Sequence, residues 1–467
     1  MKKLLFLLLI PLLFLINAAA QDDFSISTPE KLRPYEPQNL TISVPFDGEL
    51  TIRIFDSDVE QQSIAENLPV EQGTLQLSYD GLSFNGEMLK KGDFTLEGIL
   101  TSEGETLTCT ATLTVSAPKE ALVYVVLSSD DVYSEEDTWY IECGVTKKCN
   151  VVREIYAAEN PDVCLNTAQI SAESDNKCYR MSWAARAKLA PGQYIMRFYA
   201  DKNPDYVIER TVTLHEGKRP SPELAAGEAL FPDDFSSDEA IWEKLIQPVY
   251  IIDASQNSRA KVYERASTSS PLVGSVYGQT NVVKLLEEPE GKFAHVGVYC
   301  SYDGEYREGW ILKSYLKVVQ PDVHYGILID KEKQEMHVYS EGKKIGTILV
   351  STGHADQNSI ITNSGVYLTY DRLGSFHQDG MKYDYAIRIA GSNLIHQVGY
   401  MHAHGSKSDF SKQEPLLGQA VSHGCVRMNY QITEESGGIN AYWIWTHLSV
   451  RTKVMIVDSL SDTEALP

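Results

Sequence analysis

Ser422-His423-Gly424-Cys425-Val426-Arg427-Met428-Asn429 says more about fold and function than any other stretch of this chain. A cysteine follows a glycine directly and a histidine by two residues. Glycine lets the backbone turn tightly, so consecutive N–H groups can face the sulfur and whatever it attacks. Two readings are open: a thiolate nucleophile with its own oxyanion hole, or a buried structural cysteine in a turn. The flanking Ser-His and Val-Arg-Met-Asn favour the nucleophile.

Working outward, a long polar loop from Gly399 to Ala420 precedes this turn, and before it Asn393 to His396 reads as a strand ending in a histidine. Tyr325–Asp330 and Glu335–Tyr339 alternate as a β-hairpin, and Ile345–Ser351 is the next strand. Downstream, Ile439 to Leu448 reads as an aromatic-rich helix covering the sheet. A thiol with an ordinary pKa of about 8.5 is only slightly ionised at neutral pH, so a nearby histidine is needed to raise the thiolate fraction.

Residues 323–458 resemble the catalytic domain of the L,D-transpeptidases, the YkuD-like cysteine enzymes that cross-link peptidoglycan. Ser422-His423-Gly424-Cys425-Val426-Arg427 carries the resemblance most strongly. Tyr385-Ala386-Ile387-Arg388-Ile389 with Leu394-Ile395-His396, Val350-Ser351-Thr352-Gly353, and Thr362-Asn363-Ser364-Gly365 add to it. Asn363 stands where the family usually has proline, a departure expected to cost turn rigidity rather than chemistry. The resemblance implies a mixed, mainly β sandwich around a cleft and a Cys425 thioester acyl-enzyme formed from peptidoglycan stem peptides. It also implies a general-base histidine oriented by the Gln397 carbonyl.

Two histidines could be that base. His396 ends a strand, whereas His404, followed by Gly405-Ser406, resembles a compact His-Gly-Thr form of the motif. Strand ends hold side chains more rigidly than loops, which favours His396 and leaves His402 and His404 to contact substrate. His423 and Gly424 are expected to shape the oxyanion hole. Ser422 and Arg427 are assigned to substrate binding, with a structural salt bridge as the alternative for Arg427. His354 and His377 receive no role.

The rest of the chain reads as a mainly β, multidomain protein. Residues 1–20 have the form of a signal peptide: Lys2 and Lys3, an apolar run from Leu4 to Ile16, then Ala18-Ala19-Ala20. The expectation is an exported protein, in the periplasm or the cell wall, without a transmembrane segment. Net charge is −23, and −25 without the two leader lysines (39 basic against 64 acidic residues). Without a basic tract, nucleic acid and anionic membrane are poor partners.

Residues 21–117 read as a β-sandwich, and 118–216 repeat its ending: Lys90–Leu96 has a counterpart in Ala190–Met196. Tandem immunoglobulin-like sandwiches follow, expected to act as spacers or to bind partners. A linker spans 217–248, with a short helix from Trp242 to Ile246. Residues 249–319, through Ser258–Tyr263, Leu272–Val276 and Gly309–Ile311, resemble a bacterial SH3-like barrel, which implies either a module that docks cell-wall peptides or a rigid spacer. Cys143, Cys149, Cys164 and Cys178 cluster as two local disulfides would, with a zinc site as the alternative although no gap has the C-x2-C spacing, and Cys425 is expected to be free.

No cofactor and no metal are expected. A zinc hydrolase built on His396, His402, His404 and His423 is the first alternative, but it lacks a His-Glu-x-x-His pattern and leaves the cysteine motif unexplained. A non-catalytic wall-binding protein is the second. A third keeps the acyl-enzyme and changes the acceptor: water gives an L,D-carboxypeptidase, a protein lysine gives an anchoring enzyme.

Overall fold

The computed structural model describes residues 23–57, 59–83, 88–135, 139–353, 362–402, 408–433 and 435–461. The leader, His354 and His404 lie outside the described residues. Strands dominate, and the chain divides into two compact units: Met1–Ala121 with Tyr199–Tyr206, and Leu122–Phe198 with Val207–Pro467.

In the first unit, a three-stranded sheet (Ser25–Ser27, Gln38–Val44, Gly73–Tyr79) faces a four-stranded one (Val59–Val70, Gly48–Asp56, Gly92–Ser102, Glu105–Val115). Alternation dictates the layering: Ile52 and Ile54 point inward with Leu96 and Leu100, meeting Leu40, Ile42 and Leu77 of the other sheet in one core. The expected terminal strand pair is the antiparallel hairpin 92–115.

The second unit begins with a three-stranded sheet (Tyr179–Met181, Ile141–Val145, Leu122–Leu127) and a five-stranded sheet that includes Cys149–Ala157 and Asn160–Ala172. Seven short strands between Val249 and Val319 form the next sheet, where the sequence suggested about five. The helix before it is longer than expected, Asp238–Ile246. Ser237 caps it, accepting from Ala240 N–H at 3.2 Å, and Ile241 and Leu245 bury one face.

The last sheet has nine strands in the order Gly365–Leu368, Lys453–Val457, Gly326–Asp330, Glu335–Ser340, Lys343–Ser351, Val426–Met428, Asn393–Gln397, Met381–Ala390 and Arg372–Gln378. Gly326–Asp330 runs parallel to Lys453–Val457 and antiparallel to Glu335–Ser340. All five of its residues are buried: Ile327, Leu328 and Ile329 are apolar with both faces covered, and Asp330 at the end accepts from the Glu332 and Lys333 N–H groups. The aromatic helix is Ala441–His447, capped by the Asn440 side chain, which accepts from Trp443 N–H at 2.9 Å.

The three-stranded sheet at the start of this unit shares a core with the last sheet. Tyr124 and Val126 belong to the same core as Ile387, Ile395, Val426, Met428 and Trp445 of the nine-stranded sheet and its helix. The expected disulfides are absent among the described residues: no bridge joins any of the seven cysteines. Strand register explains two of the pairings. Cys149 stands opposite Ala172 while Cys164 stands opposite Tyr156, at the far end of the same hairpin. Cys143 pairs with Tyr179, so Cys178, one residue earlier, is directed to the other face.

Candidate active site

The turn at Cys425 is built from three directions. Gly424 has φ +112°, a conformation that favours glycine. Ser422 Oγ donates to the Cys425 carbonyl at 2.5 Å and accepts from Gly424 N–H at 3.2 Å, tying the loop across its own mouth. Ser422 N–H donates to the Thr352 carbonyl at 2.9 Å, anchoring the turn to the end of Lys343–Ser351. Thr362 Oγ1 accepts from Gly353 N–H at 2.7 Å and donates to the Gly424 carbonyl at 2.9 Å. At Gly353 a Cβ would lie 2.7 Å from Gly424 Cα, so only glycine lets the two turns touch. Asn363 has a use that its departure from proline did not suggest. Its Nδ2 donates to the Cys300 carbonyl at 3.5 Å, a link to the seven-stranded sheet that proline cannot make.

From this turn Val426–Met428 enters the sheet parallel to Asn393–Gln397, with Ile395 opposite Val426 and His396 opposite Arg427. Side chains alternate, so Ile395, Val426 and Met428 go to the core while His396, Cys425 and Arg427 share the opposite face. Cys425 is half-buried and free. Burial pushes its thiol up; the Leu394 backbone N–H and the Arg427 charge pull the other way.

His396 is buried, 2% exposed. Its Nδ1 lies 2.7 Å from the Gln397 carbonyl. A carbonyl only accepts, so Nδ1 carries the proton and Nε2 is the open, basic nitrogen. The imidazole meets Phe376 and Tyr383 edge-on, with centroids 5.2 and 5.0 Å away. Those two rings stack at 4.9 Å. Burial lowers the His396 pKa to about 4, the Gln397 carbonyl opposing and Arg427 assisting.

Arg427 Nη1 donates to Gln413 Oε1 at 2.8 Å; the loop amide takes the place of the carboxylate that a structural salt bridge would supply. Behind Tyr383, Asp384 accepts from Ser375 Oγ and from Tyr400 OH at 2.5 Å, and pairs with Lys382 at 2.9 Å. His423 and His377 are exposed. His404 lies outside the described residues, and among the described residues no His, Cys, Asp and Glu side chains gather as a metal site. The aromatic pair Phe376 and Tyr383, the Gln413 contact and the Thr362 bridge escaped the sequence reading. Tyr383 sits in a visible strand pattern, but nothing local marks its ring as a wall for the histidine.

His337, on Glu335–Ser340, is also buried and held near pKa 4, by burial first and then by Lys344. An unfolded histidine titrates at about 6.5. Between pH about 6.5 and 4 the unfolded chain therefore binds protons that the native state refuses. Stability is full above that window and is lost as pH falls through it. His447 is likewise held near pKa 4 by burial, and three such groups give a slope of up to about 4.1 kcal/mol per pH unit. Urea denaturation at pH 7, 6 and 5 should show a falling midpoint for this unit. A constant midpoint over that range contradicts these protonation states.

Residues 324–456 match the model of the YkuD family, described as the L,D-transpeptidase catalytic domain. The chain thus carries an L,D-transpeptidase-type catalytic domain over less than a third of its length. Among solved structures, it resembles an L,D-transpeptidase from Stackebrandtia nassauensis at 18% identity, covering 29% of this chain and 56% of that one, TM-score 0.21. It also resembles one from Mycobacterium tuberculosis H37Rv at 14% identity, covering 50% and 87%, TM-score 0.23. A third, from Mycobacterium smegmatis, is 12% identical, covering 57% and 91%, TM-score 0.23. The chain therefore spans just over half the length of the first of these. Scores this low mark partial likeness only. A search of curated proteins returned no match.

Proposed function

We propose that this protein is an exported cysteine L,D-transpeptidase that acts on peptidoglycan stem peptides. The parallel register of Asn393–Gln397 with Val426–Met428 carries this reading, because it sets His396, Cys425 and Arg427 on one face.

In the resting site both partners are neutral: burial disfavours thiolate and imidazolium alike. The thiol proton therefore moves to His396 Nε2 as the sulfur attacks the carbonyl of the L-to-D peptide bond. The S–C bond forms, and the oxyanion is held by backbone N–H groups around Cys425. Gly424 supplies the turn; its own N–H is engaged by Ser422. The C–N bond then breaks, the leaving D-amino acid takes the proton from His396, and a thioester remains. An incoming amine gives up a proton to His396 and attacks the thioester, restoring the thiol and forming the cross-link. Loss of one oxyanion donor in such sites costs about 3 kcal/mol of transition-state stabilisation.

Arg427, with His404, would receive the substrate's carboxylate and backbone; Ser422, expected from the sequence to bind substrate, is 1% exposed with its Oγ bonded inside the turn and holds the loop instead. His423 borders the hole. The immunoglobulin-like readings of 21–117 and 118–216, and the SH3-like, wall-docking reading of 249–319, belong to the same proposal.

Mass spectrometry of muropeptides incubated with residues 21–467 tests the reaction. A new dimer linked between two third-position diamino acids is the expected product. Trimming of tetrapeptide to tripeptide without dimers assigns water as acceptor. No change in the muropeptides counts against the cross-linking reading and favours a protein acceptor or a wall-binding role.

A further inference from the structure

Arg372–Gln378 is the edge strand of the nine-stranded sheet, with a single neighbour, Met381–Ala390. Its register shifts twice, between Arg372 and Gly374 and between Gly374 and Phe376, and Gly374 sits at φ +79°. A bulged edge strand is poorly fixed by its own ladder. Yet this strand delivers Phe376, whose ring closes one side of the His396 cage. Something outside the sheet has to set it.

The second sandwich supplies the anchors. Glu142, on Ile141–Val145, reaches Arg372 Nε at 2.8 Å, both side chains 1% exposed. The rest of that guanidinium donates to the Trp445 and Leu448 carbonyls at the end of the aromatic helix. Two residues on, the Asn176 carbonyl lies so close to Gly374 that a Cβ there would come within 2.4 Å. The same loop accepts from Trp445 Nε1 through the Asp175 carbonyl at 2.7 Å. Glu142 also pairs with Arg180 at 2.7 Å, but Arg180 is on its own sandwich and half exposed. The contacts converge on the start of one strand.

We propose that Glu142 is a positioning residue for the active site: through Arg372 it sets the bulged edge strand so that Phe376 and Tyr383 enclose His396. The second sandwich is then part of the catalytic unit, and its removal or loosening opens the cage to water. This rests on His396 being the base, so the test reads the imidazole as well as the reaction. The charged and titratable groups facing His396 are Arg427 and Cys425 on the neighbouring segment and the Tyr383 phenol, which itself senses Asp379.

The experiment compares the full mature chain with Glu142→Gln, Arg180→Ala and Arg372→Lys. Each is read by kcat, by KM and by NMR titration of His396 in histidine-labelled protein. Glu142→Gln keeps the side chain's shape and removes the charge. It should lower kcat at least tenfold, leave KM within twofold and move the His396 titration upward by a pH unit or more. Arg180→Ala, which breaks the exposed half of the same ion pair, should move neither quantity. Should Glu142→Gln fail to fold, Arg372→Lys decides, since it keeps the buried cation and loses the fork to the helix carbonyls. The expected result there is the same pair of changes. A folded Glu142→Gln with wild-type kcat and titration overturns the proposal, as does an equal effect from Arg180→Ala. A shifted titration with unchanged kcat leaves Glu142 setting the cage and counts against His396 as base.

Discussion

Cys425→Ala is expected to abolish acyl transfer and leave the fold standing. The sulfur is the only atom in the site able to form the thioester, and nucleophile and base act as one unit, so the loss is expected at about 10⁴-fold or more. The fold survives because the turn is held by atoms the substitution leaves in place. Ser422 Oγ binds backbone on both sides, Thr362 bridges to the Gly424 carbonyl, and Ser422 N–H is anchored at Thr352. Thermal unfolding of the variant should match the parent within a few degrees while muropeptide turnover falls to background. Turnover clearly above background refutes a thiol mechanism.

His396→Ala is the second large effect. A positioned general base contributes about 10²- to 10⁴-fold, and kcat should fall by that range. The substitution also empties a buried site between Phe376 and Tyr383, so stability must be measured alongside. His404→Ala is the discriminating companion: it should cost far less, because the turn to the thiol is served from the strand. The reverse ranking transfers the base to the loop histidine. A folded His396→Ala at full rate removes His396 from the mechanism altogether.

Much of this site is legible in the sequence because it is local. The Ser-His-Gly-Cys turn is contiguous, Gly424 announces its conformation, and the apolar pair Leu394-Ile395 marks a strand that delivers His396 near its end. The parallel pairing with Val426–Met428 is not local, and with Leu394 and Ile395 both apolar and buried the faces of Asn393–Gln397 come only from the register. The aromatic cage was not legible. Phe376 lies on an edge strand with two register shifts, where period-two reasoning loses its phase. Glu142 was hidden for a different reason: a lone carboxylate in a sandwich reads as surface, and its partner Arg372 is 230 residues away. The clustered cysteines misled because spacing along the chain says nothing about which sheet face each side chain takes. Helix Asp238–Ile246 ran four residues longer than expected because its acidic first turn resembled linker.

The proposed reaction passes through a covalent bond between Cys425 and the stem peptide. Intact-protein mass spectrometry of the mature chain, quenched in acid within seconds of adding a muropeptide donor without acceptor, reads it directly. The predicted result is a mass increase equal to the donor acyl group. It should map to the peptide containing Cys425, be released by hydroxylamine, and be absent from Cys425→Ala. An adduct on any other residue, or an adduct that persists in Cys425→Ala, contradicts the account.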